Sequence, residues 1–266
     1  MVVLTNVSLR FKGVDAYLEN AIRQSLGFAN LWTISIWQKP FEDIPREKLE
    51  HLHHRTLLHL KGAAHKNEIL IWADRITNTS PDVIHVENWD KRGERIRVTR
   101  FNMAQQRNEW RNFSVFWDGS NLIGWDNGVE ITDIHETLSG TGSFIMEDPV
   151  ASAGRSVRLG AAYSGIAGAV EVPLTTWSGL MGPVAIWDTE VTSQELATVV
   201  SGSFGIDLTT NSGIYTSSAS LVHWWRPGAD SADIGRDYTV TASAINVGDD
   251  ATITGTDEIV VSSPTT

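Results

Sequence analysis

The chain has 266 residues, of which 41% are hydrophobic and 20% charged, with 22 Gly and 8 Pro. This ordinary globular composition excludes a collagen-like or wholly disordered chain. No apolar run approaches the ~18 residues of a membrane-spanning helix, and the lack of cysteine excludes disulfides and thiolate metal sites.

Charge is unevenly distributed along the chain. Residues 1–111 carry 17 of the 21 Lys and Arg and 13 of the 32 Asp and Glu, a net charge of +4, whereas residues 112–266 have a net charge of -15. The acidic second half is expected to repel nucleic acid and anionic lipid. The simplest interpretation is one sandwich with two differently charged faces, and the alternative is association of copies with a defined polarity.

Strand signals dominate the first half of the chain. Apolar and polar residues alternate with a period of two in segments 31–37, 95–99 and 112–117, as in strands with one buried face. In the second of these, Ile96 and Val98 form the predicted apolar face. Uninterrupted apolar runs at 69–72 and 83–86 predict two further strands.

Local motifs predict one hairpin and two short helices. Asn127 and Gly128 tolerate the positive φ of a type I′ turn, which joins strands 122–125 and 129–131. Thr192 and Glu195 have the spacing of a capping box, which predicts a helix from Thr192 to a point near Gly202. Segment 45–54 predicts the other helix.

The last third of the chain changes character. Short β-prone runs recur there between Ser-rich and Thr-rich stretches, at 220–225, 238–243, 251–254 and 258–262. Because Val, Ile and aromatic residues persist, we predict irregular loops and edge strands, and not a disordered tail.

Several segments together resemble the laminin-G-like branch of the concanavalin A-like lectin/glucanase superfamily. They are SLRFKGVDAYL from residue 8, LWTISIWQKP from residue 31, WRNFSVFWDG from residue 110 with the Asn127-Gly128 hairpin, WSGLMGPVAIW from residue 177, and LVHWW from residue 221. The resemblance covers residues 8–225, and segments 41–55 and 136–156 depart from the family pattern.

The resemblance implies an all-β protein: two antiparallel sheets packed as a jelly-roll sandwich, with one or two short helices. It assigns residues 1–230 to the jelly-roll domain. Residues 231–266 form a C-terminal segment with edge strands, packed on the same domain. The superfamily is functionally broad, so the fold alone does not determine the function.

The sequence carries no recognisable catalytic motif. Glycoside hydrolysis needs two carboxyl groups about 5–10 Å apart, and the glucanases of this superfamily place acidic residues at alternate positions of one strand. Neither Glu-x-Asp-x-Glu nor Glu-x-Asp-x-x-Glu occurs here, and the sequence has no Gly-x-Ser-x-Gly elbow or phosphate-binding Gly-rich loop. The nearest acidic pairs are Asp188/Glu190, Asp133/Glu136 and Glu87/Asp90. We therefore predict a protein that is not an enzyme.

Metal binding is the next question, because calcium is common at the rim of this fold. The rim candidates are Asp15, Asp74, Asp118 and Asp126, although each is more simply a turn-forming residue. A histidine cluster, His51, His53, His54 and His59, lacks a metalloprotease spacing and is interpreted as a solvated insert. The prediction is no cofactor, with calcium as the alternative.

Carbohydrate binding is suggested by the 11 Trp residues, since indole faces stack on sugar rings. Most of these Trp lie within the predicted strands and are expected in the core. Trp89 and Trp125 precede turns and are expected to be more exposed. Arg95 and Arg97 lie on the predicted polar face, where they either contact an anion or simply solubilise the sheet. These four residues are the candidate sugar contacts.

A lone module that begins close to Met1, with no export signal, is similar to bacteriophage capsid-decoration, head-fibre and adhesin proteins. The first hypothesis is a non-catalytic virion structural protein on the capsid surface, released from the host by lysis. It is expected to form homo-oligomers and to dock on other virion proteins such as the major capsid protein. The alternative is a carbohydrate-binding module or phage adhesin that recognises a cell-surface glycan, and a glycoside hydrolase comes third. Nucleic acid and membrane insertion are not expected.

Overall fold

The computed structural model describes residues 8–12, 17–20, 31–40, 54–61, 68–74, 82–89, 95–103, 109–138, 156–160, 177–226, 252–254 and 258–260. The strands are β1 (Ser8–Lys12), β2 (Tyr17–Asn20), β3 (Trp32–Pro40), β4 (His54–Lys61), β5 (Ile69–Asp74), β6 (Asp82–Trp89), β7 (Arg95–Met103), β8 (Arg111–Trp117), β9 (Leu122–Asp126), β10 (Val129–Glu130), β11 (Ile134–Leu138), β12 (Ser156–Leu159), β13 (Ser178–Trp187), β14 (Leu221–Trp225), β15 (Thr252–Thr254) and β16 (Glu258–Val260). The α-helix is α1 (Ser193–Ser201), and short 3-10 helices span Ser203–Gly205 and Ser217–Ser220.

These strands form two antiparallel sheets. Sheet A has the order β10-β9-β8-β3-β13-β1-β16, with β14 beside the second half of β13. Sheet B has the order β11-β7-β6-β5-β4-β12-β2-β15. Within the described ranges each sheet has eight strands. This two-sheet antiparallel jelly-roll sandwich confirms the predicted fold class.

The main hydrophobic core lies between the two sheets. Sheet A contributes alternate residues of β3, β8 and β13, including Trp32, Ile34, Phe113, Val115 and Ile186. Sheet B contributes alternate residues of β4 to β7 and β12, including Leu58, Ile71, Ile84, Phe101 and Val157. Each such side chain contributes about 1.5–3 kcal/mol by leaving water, so this interior is the principal source of stability.

Strand β7 corrects one prediction. Phe101 pairs in register with Ile84 on the neighbouring strand β6, and Phe101 is fully buried. Side chains two apart share a face, so Arg97 points inward with Phe101 and Val98 points outward. Val98, on the predicted apolar face, is buried as expected, but on the outer face of sheet B and not in the core between the sheets. The bulky Phe101, further along the strand, decides which face turns to that core.

The outer face of sheet A is covered by helix α1 and the chain that follows it. A second apolar cluster forms there, comprising Phe116, Trp125, Ala185, Trp187, Val191, Leu196, Val199, Leu208, Tyr215 and Trp224. The predicted capping box is confirmed: the Glu195 amide donates to Thr192, and the Thr192 amide donates to the Glu195 carboxylate. The helix ends at Ser201 with Gly202 as its C-cap, as predicted.

The predicted hairpin at Asn127-Gly128 is also confirmed. Asn127 has φ 50° and Gly128 has φ 78°, the left-handed pair that a type I′ turn requires. The predicted edge strands at 251–254 and 258–262 correspond to β15 and β16, which lie at the ends of sheets B and A. The run at 238–243 and most of the predicted helix at 45–54 lie outside the described residues. His54, the last residue of that segment, begins β4.

In the described ranges, no helix has the length and apolar character needed to cross a bilayer.

Candidate functional site

The structure separates the four predicted sugar contacts. Trp125 is packed under α1 on the outer face of sheet A, whereas Trp89 lies on the outer face of sheet B beside Leu70 and Trp72. Both indoles are only 5% exposed, so the expectation that they are exposed is wrong. Trp125 precedes a turn, which favours exposure, but a helix that is remote in sequence covers it.

The two predicted arginines also differ. Arg97 lies at the end of the interior, 5.1 Å over the Trp117 ring, with its Nε 3.0 Å from Oε1 of Glu136. It also donates a hydrogen bond to the carbonyl of Ser120. These three contacts give the Arg97 side chain a structural role at the edge of the core. The backbone of Arg95 pairs with Trp89 at the start of β7, but its side chain lies outside the described residues.

The predicted calcium candidates that are described in full act as structural residues. Asp118 accepts hydrogen bonds from the amides of Ser120 and Asn121, both at 2.6 Å. Partial burial opposes the change, but these bonds and the nearby Arg97 lower the pKa of Asp118. The simpler interpretation, a turn-forming aspartate, is confirmed for this residue.

Asp126 forms an ion pair with Arg111. Nε of the buried Arg111 donates to Oδ1 of Asp126 at 3.0 Å, and the Nη2 atom contacts Oδ2. Both carboxylate oxygens are thus used by one guanidinium. Asp15 and the side chain of Asp74 lie outside the described residues. Among the residues that the structure describes, no three His, Asp or Glu side chains are grouped so that they could hold a metal ion.

The outer face of sheet B brings together residues that the sequence did not identify as a site. In backbone register, Trp72 of β5 pairs with His85 of β6, His85 with Arg100 of β7, and Arg100 with His135 of β11. Directly paired residues of antiparallel strands project to the same face, about 4.5–5.5 Å apart. These four side chains therefore form one row across four strands, hereafter the outer row.

The inner end of the outer row is aromatic and tightly packed. The Trp72 and His85 rings stack with centroids 3.6 Å apart and planes inclined by 7°. The Trp72 indole donates to Oε1 of Glu87 at 2.8 Å, which draws that carboxylate toward β5. Trp72 is 6% exposed and His85 4% exposed. This end of the row is fixed by its neighbours before any ligand arrives.

A second pair of polar groups lies on the same face. Nε2 of His59 is 3.3 Å from Oε2 of Glu68, and both side chains are buried. His59 pairs in register with Leu70, next to the outer row. The prediction that His59 belongs to a solvated insert is wrong, because its strand position turns it onto this packed face. His51 and His53 lie outside the described residues.

The opposite end of the outer row is open and carries the guanidinium of Arg100. Arg100 and His135 are exposed. His135 lies 3.3 Å from Asp133, and the two side chains are 67% and 65% exposed. The backbone of Arg100 pairs with β6 and β11, but among the described residues its side chain has no hydrogen-bonding or ion-pair partner. The exposed end of such an arrangement can bind a polar or charged group of a ligand, whereas the buried Trp72 and His85 rings form the base beside it.

The sequence contained part of the signal for this row. Val83, His85, Glu87 and Trp89 alternate along one strand face, as do Leu70 and Trp72 along another. The sequence did not show the register that aligns Arg100 with His85 and His135. That register depends on the geometry of the loops between the strands, which the sequence alone does not determine.

No family model matches the sequence, and no curated protein shows significant similarity to it. Solved structures do resemble the fold. A heptameric SAP-like pentraxin from Limulus polyphemus has a TM-score of 0.58 and 14% identity over 98% of this chain and 98% of its own. A putative carbohydrate binding protein from Bacteroides ovatus has a TM-score of 0.57 and 14% identity over 99% of this chain.

The chain spans only 62% of the Bacteroides protein. Domains LG4-5 of the mouse laminin alpha1 chain match with a TM-score of 0.46 and 8% identity, over 67% of this chain and 41% of theirs. At such identities the pentraxin and Bacteroides structures establish the architecture alone. The chain therefore shares the jelly-roll sandwich fold of the pentraxin and Bacteroides structures.

Proposed function

We propose that the chain is a carbohydrate-binding, lectin-like module, and that its site is the outer row of sheet B. The observation that carries the proposal is the alignment of the stacked Trp72 and His85 with the exposed Arg100 and His135 on one sheet face. Binding sites for small ligands typically combine an apolar or aromatic surface with a few convergent polar groups.

The other sheet argues for this choice of face. The outer surface of sheet A is filled by α1 and residues 203–215, whose apolar side chains pack on Trp125, Trp187 and Trp224. A ligand at that surface would have to displace a packed layer. The outer row instead reaches solvent at Arg100 and His135.

Sugar chemistry fits the exposed end of the row. A saccharide presents hydroxyl groups that exchange hydrogen bonds with charged side chains such as that of Arg100, and the buried Trp72–His85 stack forms the base beside it. The similarity in fold to the putative carbohydrate binding protein from Bacteroides ovatus supports the same class of ligand.

The proposal is tested by screening the purified chain on an array of immobilised glycans and titrating the hits by calorimetry. We expect saccharide binding that Arg100→Ala weakens at least ten-fold. Lys39→Ala is the matched control, because it removes one positive charge from sheet A and should leave the affinity unchanged. If no saccharide binds above background, the proposal fails.

The bacteriophage virion role, homo-oligomer formation, docking on the major capsid protein and the absence of catalysis stay predictions. Sedimentation of the purified chain measures its oligomeric state. Immunoblotting of purified particles from cells that produce the chain tests virion association. A free monomer that is never recovered with particles would contradict the virion role and leave carbohydrate binding open.

A further inference from the structure

The charges at the open end of the outer row indicate what kind of sugar it takes. We infer that the ligand is an acidic saccharide, one bearing a carboxylate or sulfate group, and that Arg100 and His135 bind this anion. The inference rests on the proposed carbohydrate-binding function and narrows it to a class of ligand.

The first step of the argument is the state of Arg100. Its guanidinium is exposed and has no acidic partner among the described residues. A guanidinium offers a planar fork of donors that matches carboxylate and sulfate oxygens in a bidentate geometry. An exposed guanidinium without an acidic partner, on the second strand from the edge of sheet B, is therefore suited to an anionic group.

The second step concerns the carboxylates that could neutralise Arg100. Glu87 lies diagonally across the β6–β7 pair, but its Oε1 atom accepts from the Trp72 indole on the opposite side, at 2.8 Å. Glu136 is the next residue along β11 after His135, and it points to the inner face, where it pairs with Arg97. Two nearby acidic groups are thus held away from Arg100.

The third step concerns His135. Its partner Asp133 is 3.3 Å away, and both side chains are more than half exposed. Contacts between two exposed polar side chains contribute only about 0–1 kcal/mol, so the His135 ring can exchange Asp133 for a ligand anion. Arg100 and His135 are directly paired across β7 and β11, which lets both contact one anionic group.

The overall negative charge of the chain restricts where an acidic saccharide can bind. The chain carries a formal net charge of -11, which repels acidic ligands from most of its surface. An acidic saccharide that binds must therefore do so at a local cationic position, and the outer row supplies one beside an aromatic stack.

The test uses one sugar skeleton in two charge states: tetragalacturonate and its fully methyl-esterified form, each titrated into the whole chain. We expect the free acid to bind at least ten-fold more tightly than the ester, and 300 mM salt to reduce this preference. Arg100→Ala should abolish the preference, Arg100→Lys should retain part of it, and Lys39→Ala should leave it intact. Circular dichroism and thermal melting establish that each variant is folded. A sulfated galactose oligosaccharide separates the two anions, and binding of either supports the inference.

The outcomes separate the two proposals. If neutral glycans bind as tightly as acidic ones and Arg100→Ala has no effect, the acidic-saccharide inference and the outer-row site are overturned, while saccharide binding elsewhere on the chain stands. If no saccharide binds at all, both fail. If a polyglutamate peptide displaces the saccharide with equal affinity, the row recognises acidic polymers in general and the saccharide assignment is overturned.

Discussion

Glu195 connects the start of helix α1 to a segment 21 residues further along the chain, since its Oε1 atom accepts a hydrogen bond from the amide of Thr216 at 2.8 Å. The hydroxyls of Thr216 and Ser217 donate to the same oxygen at 3.0 and 2.7 Å. The other oxygen caps the helix by accepting from the Thr192 amide at 3.0 Å. One buried carboxylate thus joins the helix to the loop that leads into β14.

This clamp should make stability depend on pH. Burial raises the pKa of Glu195, but hydrogen bonds from residues 216–217 and Thr192 outweigh it and lower the pKa to about 2, from 4.5. The stabilisation from the ionised group is therefore present above pH 4.5 and is lost as the pH falls toward 2. Glu195→Gln should lower the free energy of unfolding by about 2 kcal/mol at pH 7 and flatten its dependence on pH over this range.

Urea denaturation between pH 2.5 and 7 measures this effect. Glu190→Gln is the matched control, because it removes an exposed carboxylate two residues before Thr192 and should change stability by less than about 0.5 kcal/mol. If the free energy of unfolding of Glu195→Gln still falls with pH as steeply as that of the unsubstituted chain, Glu195 does not stabilise the protein in this way.

Substituting Ala at two glycines with positive φ distinguishes the stability cost of backbone strain from that of a steric clash. A Cβ at Gly128 would lie 3.2 Å from the Cα of Ala197 in helix α1, whereas a Cβ at Gly213 would meet nothing within 4 Å. Gly213→Ala should therefore cost about 1 kcal/mol, from the left-handed conformation alone. Gly128→Ala should cost about 2 kcal/mol, because α1 must also shift. Equal losses in thermal or urea unfolding would show that the hairpin does not press on the helix.

Tyr215 should stabilise the cluster beneath α1 through its hydroxyl. That oxygen accepts from the Trp187 indole at 2.9 Å and donates to the Leu208 carbonyl at 3.0 Å, in a fully buried position. Tyr215→Phe leaves both partners buried without this bond, so it should cost about 1–3 kcal/mol. A double-mutant cycle with Trp187→Phe, followed by urea unfolding, isolates the interaction, and a coupling energy near zero would contradict it.

The ionisation of Tyr215 gives a second test in alkali. Burial, followed by the charges of Glu195 and Asp207, raises the pKa of Tyr215 to about 12, although the hydrogen bond from Trp187 opposes this shift. The unfolded chain loses this proton near pH 10, so stability should fall as the pH rises from 10 toward 12. In Tyr215→Phe, the free energy of unfolding should not show this fall between pH 10 and 12, and urea unfolding over that range measures the difference.

Asn88 is the opposite case, a buried amide that gains nothing from its position. It is fully buried on the inner face of β6, paired in register with Ile69 and Arg97. Neither of its side-chain polar atoms has a hydrogen-bond partner within the described part of the chain. Asn88→Leu, of similar volume, should therefore raise the free energy of unfolding by about 1 kcal/mol.

Asn112 supplies the control for that substitution. It is equally buried, but its side chain exchanges hydrogen bonds with Ser35 and Ser114 at 2.9 and 2.7 Å. Asn112→Leu should destabilise the protein by about 2 kcal/mol, since it removes a buried hydrogen-bond partner from each of two hydroxyls, which keep only their mutual bond at 3.1 Å. If both substitutions lower the free energy of unfolding equally in denaturant titrations, the buried Asn88 amide does not destabilise the protein.

The features that could be predicted from the sequence are those whose physics is local. The Thr192–Glu195 capping box involves groups three residues apart, and the Asn127-Gly128 turn depends on the φ angles of two adjacent residues. Strands β3 and β8 could be recognised from period-two alternation within each segment. Ordered strand segments of this kind were enough to indicate the jelly roll.

Features that require two distant segments to be aligned came only from the tertiary structure. Val98 faces outward because Phe101 pairs with Ile84, and a register shift of one residue would exchange the two faces. Trp125 is buried by a helix about seventy residues away, and Thr216 meets Glu195 only after the helix and loop have packed.

The outer row depends on the same physics. Its four members lie on four strands, and only inter-strand hydrogen bonds place them side by side. Alternation within a strand identifies which residues share a face, but register between strands depends on backbone pairing and on the turns that join them. The sequence by itself therefore determined the class of fold and its local signals. The packing of sheet against sheet and of helix against sheet decided which side chains are buried and which meet at the candidate site.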